Sequence, residues 1–180
     1  MSNSWSLDPS SGRLLIRTGV AGPAAKTGHR LIIVMQSWQA TVDWKGKVPA
    51  GIALTVDADS LEVLRGEGGV TPLTGPEKGI VRSNALKSLE AKKFPRIRYT
   101  ATQVTETPDG YRLSGTVEIH GKSRPQSVEV RLEDRGDAWA VSAQAVLTQT
   151  DFGVKPYSLL LGAVRVADQV TIDFTATHAK

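Results

Sequence analysis

The chain has no cysteine among its 180 residues. Disulfides and thiolate metal sites are therefore excluded, and cysteine usage gives no guide to the redox compartment. No window approaches the roughly 20 consecutive apolar residues that a helix needs to span a bilayer. The opening Met1-Ser2-Asn3-Ser4-Trp5-Ser6 shows no basic cluster followed by an apolar run, as a secretory leader would. Read as written, these absences predict a soluble, cytoplasmic protein. Long helix-period runs are scarce as well, and Gly and Pro are scattered throughout, which points to an all-β class. A large excess of one sign of charge is lacking, with a formal net charge of +4 and basic residues dispersed among acids. A nucleic-acid footprint would gather Lys and Arg on one face beside stacking aromatics, so nucleic acid is not an expected partner. The nearest approach to such a cluster is Lys87, Lys92, Lys93, Arg96 and Arg98, close to Phe94 and Tyr99. It reads as a solvated face, better suited to peripheral contact with an anionic membrane than to DNA. No linker interrupts the chain, and residues 1–180 are expected to form a single domain.

What the sequence does contain is alternation. Tyr111, Leu113, Gly115, Val117 and Ile119 share one parity, and Arg112, Ser114, Thr116, Glu118 and His120 the other. Successive side chains of a strand point to opposite faces, so this pattern builds a sheet with one buried face. After the break His120-Gly121-Lys122-Ser123-Arg124-Pro125, the pattern restarts with Val128, Val130 and Leu132. It recurs at Trp139, Val141, Ala143, Ala145 and Leu147, and again at Val170, Ile172 and Phe174. The C-terminal half is thus an antiparallel meander, which must stack on a second sheet or close on itself.

Earlier in the chain, Leu14, Leu15 and Ile16 suggest a strand that ends at Gly19 and Gly22-Pro23. The stretch from Leu31 to Trp44 exceeds the usual strand of about 5–6 residues and is expected to bend at a bulge or cross a barrel corner. Ile52, Leu54 and Val56 mark a further strand. With five strands in the C-terminal half, the count is about eight, the number at which a closed barrel has room for its own side chains or one small ligand. Gly66 to Gly79 reads as a loop. Pro76, Glu77, Ile80, Asn84, Leu86 and Leu89 then give a weak helical pattern stopped by Pro95, so one or two short helices are expected to cover the end or side of the barrel.

Motifs for catalysis do not survive inspection. Gly115 to Ser123 has five residues where a phosphate-binding loop has four between its first Gly and Gly-Lys-Ser, and a strand follows it rather than a helix. Asp151-Phe152-Gly153 lacks the other parts of a kinase, and Phe152 reads as a plug beneath a barrel end with Gly153 allowing the turn. His29, His120 and His178 are too far apart in sequence to suggest a metal site. No Gly-x-Ser-x-Gly elbow is present. The expectation is a protein that is not an enzyme and carries no cofactor or metal.

Lys93-Phe94-Pro95-Arg96-Ile97-Arg98-Tyr99, Leu113 to Gly121, Thr150-Asp151-Phe152-Gly153-Val154 and a closing strand from Val164 to Ile172 occur in that order. Together with the opening Trp5-Ser6-Leu7-Asp8-Pro9, they resemble the YceI-like family over nearly the whole chain. The resemblance implies a single closed, antiparallel, eight-stranded lipocalin-like barrel that encloses a long apolar ligand, typically an isoprenoid or related lipid, without chemistry of its own. Many relatives start with a signal peptide, which this chain lacks, so it resembles a cytoplasmic-looking branch.

The parity within each strand marks Ile52, Leu54, Val56, Ile97, Tyr99, Leu113, Val117, Ile119, Val130, Val141, Ile172 and Phe174 as the inward face and hence the candidate ligand contacts. Small and branched residues dominate this face and fill an eight-stranded barrel poorly, which favours a cavity. Trp38, Trp44, Trp139, Tyr157 and Phe94 are further aromatics for lining or filling it. The expected function is binding or carriage of a polyisoprenoid or fatty-acyl lipid by a monomer or homodimer. The alternatives are an interaction module using the barrel as scaffold around Lys92, Lys93, Arg96 and Arg98, or an enzyme at the barrel mouth.

Overall fold

Each alternating segment pairs with its neighbour in sequence, because short polar turns separate runs that share one apolar face. The computed structural model describes residues 3–180. In chain order its strands are β1 (Asn3–Leu7), β2 (Gly12–Ala21), β3 (His29–Met35), β4 (Trp38–Lys45), β5 (Val48–Asp57) and β6 (Leu61–Gly68). The helix α1 (Gly75–Ser88) follows, then β7 (Arg96–Thr107), β8 (Gly110–Ile119), β9 (Lys122–Asp134), β10 (Ala138–Thr148), β11 (Ser158–Leu159) and β12 (Val164–Ala179). All pair in one antiparallel sheet of order β1-β4-β5-β7-β8-β9-β10-β12-β2-β3-β6, with β11 added against β12.

The meander of the C-terminal half forms as its alternation requires. Leu113 and Val117 are buried on β8, while Arg112, Ser114 and Thr116 are exposed. The break after β8 is tighter than the six residues read from sequence. His120 (φ 56°) and Gly121 (φ 71°) make a two-residue turn, and Lys122 already pairs with Ile119. Two successive positive φ values match the right-handed twist of the flanking strands, which is why Gly is needed there. Pro125 lies within β9, opposite Thr116. It is tolerated because β10 pairs with β9 only from Glu129 to Asp134, so the missing N–H falls on a free edge.

The N-terminal half corrects the predicted closed eight-stranded barrel. Twelve strands form an open, curled half-barrel, and among the described residues no ladder joins its edge strands β1 and β6. The long stretch from Leu31 bends at Gln36-Ser37 and divides into β3 and β4, while the 3₁₀ turn Ala58–Ser60 separates β5 from β6. At these two corners the backbone bonds across rather than along a ladder. Gln36 N donates to Ser60 O at 3.2 Å, and Asp57 N donates to Ser37 O at 3.0 Å. The chain turning these corners bridges the side that edge pairing leaves open. Strand β1 escaped the sequence reading because Asn3-Ser4-Trp5-Ser6-Leu7 has only two apolar residues. The glycines of β6 had read as the start of a loop.

Helix α1 lies over this curl. Thr74 caps it, its hydroxyl accepting from Glu77 N at 3.3 Å and donating to Glu77 Oε1 at 3.0 Å, with Pro76 in the first turn. Val81, Ala85 and Leu89, spaced by four, pack with Leu73 and Leu86 against the buried cluster of Leu7, Leu14, Met35, Leu61 and Val63. Arg82 ties the helix to the β5–β6 corner by donating to the carbonyls of Leu61 at 2.8 Å and Asp59 at 2.6 Å. No helix is long and apolar enough to cross a membrane among the described residues.

Candidate functional site

Between the curled sheet and α1 lies a cavity of about 370 Å³. Its walls follow from register. Leu54, Tyr99 and Val117 stand opposite one another across β5, β7 and β8. Val130, Ala143, Phe174, Leu14 and Met35 form a second row across β9, β10, β12, β2 and β3, which meets β8 at Tyr111. Side chains aligned across strands share a face, so an inward residue on one strand makes its partner inward too.

All twelve residues singled out by parity border this cavity. Ile52, Leu54 and Val56 do so from β5, Ile97 and Tyr99 from β7, and Leu113, Val117 and Ile119 from β8. Val130 joins them from β9, Val141 from β10, and Ile172 and Phe174 from β12. Val56, Tyr99, Leu113 and Val117 are buried; the other eight are only half-buried. Inward side chains that stay half-accessible mark a face that its neighbours cover only in part.

Parity did not reveal the two ends. At one, α1 contributes Val81, Asn84, Ala85 and Ser88, with Leu89 just past its end. Phe152 closes in beside them, 3% exposed at the end of a 3₁₀ turn whose Gly153 takes φ 70°. It is the plug read from the sequence. His120 fixes that turn through Phe152 O at 3.1 Å and pairs with Glu90 just beyond the helix. At the other end Trp5, Trp44 and Tyr111 border the cavity as an aromatic floor. Trp5 and Trp44 rings lie 4.8 Å apart, Tyr111 meets Trp44 edge-on at 6.3 Å, and His178 stacks on Trp5 at 4.2 Å. Trp38 is buried against Phe174 in the core instead. Trp139 sits under the Lys180 ammonium, and Phe94 packs on His120; neither borders the cavity.

The few polar groups are mostly engaged with the protein. Tyr99 donates its hydroxyl to Gln126 O at 3.0 Å, and burial pushes its pKa up to about 12. Thr18 accepts from Leu31 N, and Gln149 donates to Ala167 O. Asn84 and Ser88 make no side-chain hydrogen bond among the described residues, and the buried indole N–H of Trp44 has no partner. The surroundings offer mainly apolar contact, with Asn84, Ser88 and Trp44 among the polar groups left free. No group of three metal-ligating side chains occurs among the described residues. The basic patch read from sequence is partly neutralised, with Arg96 paired to Asp57 at 2.8 Å and Arg98 to Glu118 at 3.5 Å.

The family model for the YceI-like domain matches residues 5–178. No curated protein sequence matches the chain. Among solved structures, BcnA of Burkholderia cenocepacia superposes with a TM-score of 0.74 at 15% identity, over 96% of this chain and 99% of that one. The Campylobacter jejuni YceI protein superposes with a TM-score of 0.61 at 14% identity, over 82% of this chain and 84% of that one. At such identities the likeness is one of fold.

Proposed function

We propose that this chain, which belongs to the YceI-like family, holds one elongated apolar molecule, a polyisoprenoid or fatty-acyl lipid, in the cavity between its sheet and α1, and performs no chemistry on it. The observation that carries the reading is the cavity itself, about 370 Å³ and bordered by inward branched and aromatic side chains of which most stay only half-buried. That volume falls within the range of about 300–1,000 Å³ typical of small-molecule sites. Water gains little there, because it needs two to four polar partners and the wall offers few. An acyl or prenyl chain supplies the missing dispersion contacts, and each buried methylene contributes about 0.8 kcal/mol. The polar end of the molecule would be held at α1, where Asn84 and Ser88 are free, with Trp44 available to a terminal oxygen at the floor. Parity alone marked the twelve wall residues as the contacts for the chain.

The test is mass spectrometry of the purified protein under non-denaturing conditions, with organic extraction of whatever is bound. A stoichiometric apolar molecule is expected. Val141→Trp, on the half-buried wall, is expected to remove that molecule while leaving a β-type circular dichroism spectrum. A chain that comes up empty and takes up neither isoprenoid nor fatty-acyl probes would overturn the reading.

A further inference from the structure

The least expected surface of the molecule is the loop that carries β11. Leu159 is 53% exposed, Leu160 73%, and Leu161 fully exposed. Leu160 and Leu161 both hold left-handed backbone, at φ 52° and 54°. Bulky residues rarely adopt that region, and such outliers persist only where surrounding bonds impose them. Here Ala163 N donates to Leu160 O at 3.1 Å, Val166 N to Tyr157 O at 2.9 Å, and Arg165 Nη1 to Gly162 O at 3.3 Å. The fold therefore spends backbone strain to present three leucines to solvent.

Two other segments meet this loop on the same rim. Ala24 N bonds to Ala163 O at 2.9 Å, and Ala21 pairs with Arg165. His29 pairs with Gly68 and reaches Thr71 O at 2.5 Å, which brings in Val70, 79% exposed. The three segments, 20–30, 68–74 and 152–167, contain Lys26, Arg30, Lys155 and Arg165 and no acid. All four bases are exposed, and none is in an ion pair among the described residues. Of the adjacent acids, Glu67 is engaged by Arg65 and Asp168 by Thr150, while Asp151 is exposed and offsets one of the four cations. Of the 22 lysines and arginines these four sit on the rim, which leaves 18 against the 18 acids of the chain.

From this conjunction we infer that the rim is a docking surface for an anionic lipid bilayer, with Leu160 and Leu161 inserted and Lys26, Arg30, Lys155 and Arg165 facing the headgroups. Apolar tips ringed by unpaired cations fit a membrane interface, where burial of the tip and attraction to anionic lipid add. Tyr157 and Val166, at the base of the loop, border the cavity, so a docked rim sets the cavity beside the lipid phase. That purpose rests on the apolar-ligand reading proposed above, whereas the docking itself does not.

The experiment is co-sedimentation of the full chain with vesicles of phosphatidylcholine alone or with about one-third phosphatidylglycerol. Binding to the anionic vesicles only is expected, and the double variant Leu160→Ser, Leu161→Ser should weaken it by about tenfold or more. Because the chain has no cysteine, Leu161→Cys can be labelled singly with an environment-sensitive dye. A blue shift on anionic vesicles is expected, which a purely electrostatic contact would not produce. No binding at low salt, unchanged binding by the double variant, or binding without a blue shift would each overturn the inference. Val141→Trp separates the two readings. Vesicle binding by a variant and a wild type that both ignore apolar probes would support docking and sink the cavity reading alone.

Discussion

The two halves of the wall use the same alternating strands and bury their inward side chains to different depths. In the N-terminal half, Leu7, Leu14, Leu31, Ile33, Met35, Trp38, Leu61 and Val63 are all buried in one cluster with side chains of α1 packed against it, even though all but Trp38 and Val63 also border the cavity. In the C-terminal half, Tyr99, Leu113, Val117, Leu147 and Phe152 form a second cluster, but Ile119, Val130 and Ile172 around it stay half-buried beside the cavity. A period-two signal thus encodes a packed core and a cavity wall alike. The difference lies in what covers each face, and α1 leans on the first.

The largest effect that tests this contrast is expected at Met35, which is 2% exposed and central to the packed cluster. Met35→Ala removes contacts that nothing can replace and should cost about 2–5 kcal/mol in urea unfolding. A loss under about 1 kcal/mol would show that the N-terminal part of the wall is no better packed than the C-terminal part.

Helix α1 comes next, since the contrast depends on its being held in place. Thr74→Ala removes the capping hydroxyl from Glu77 N and Glu77 Oε1 and should cost about 1 kcal/mol. If α1 is also the cover of the cavity, the same variant should release bound lipid faster than wild type. Unchanged release would assign the exit elsewhere.

How much of this was legible depends on what each element obeys. The C-terminal wall follows period two with tight turns, so Leu113, Val117, Val130, Val141 and Ile172 could be placed inward from sequence alone. The corners could not be placed as well. The stretch from Leu31 to Trp44 shows by its length that it bends, but its hydrogen bonds from Gln36 to Ser60 and from Asp57 to Ser37 join residues about 20 positions apart. The floor was hidden for the same reason: Trp5, Trp44 and Tyr111 come from three strands, and only the pairing of β1 with β4 brings Trp5 to the cavity. Lid residues Val81, Ala85 and Leu89 carry a helical spacing too short to say which face they cover.

Tyr99 probes the boundary between the two regimes, being buried at the edge of the cavity wall. At neutral pH, Tyr99→Phe loses the hydrogen bond to Gln126 O and should cost about 0.5–1.5 kcal/mol. The folded pKa is raised to about 12 from 10.0, so the contribution of the neutral phenol is complete below pH 10 and is lost as pH rises through 12. The gap between wild type and Tyr99→Phe should therefore narrow over that window, followed as unfolding midpoints. A constant gap would mean that the hydroxyl ionises as freely as an exposed one.

The smallest expected effect is the most diagnostic, because the contrast requires it to be small. Val141 is inward by its register with Leu132 and Ala176, borders the cavity and is only half-buried. In a packed core, Val→Ala opens a new void whose lining loses dispersion contacts on every side. At Val141 the void already exists, so Val141→Ala only enlarges it and should cost the empty protein less than about 1 kcal/mol. The same methyl groups become contacts once a chain is bound, and the lipid-loaded protein should lose more stability than the empty one. Equal losses in the two forms would place the ligand away from this wall, and a loss as large as that of Met35→Ala would mean that the C-terminal half is an ordinary core.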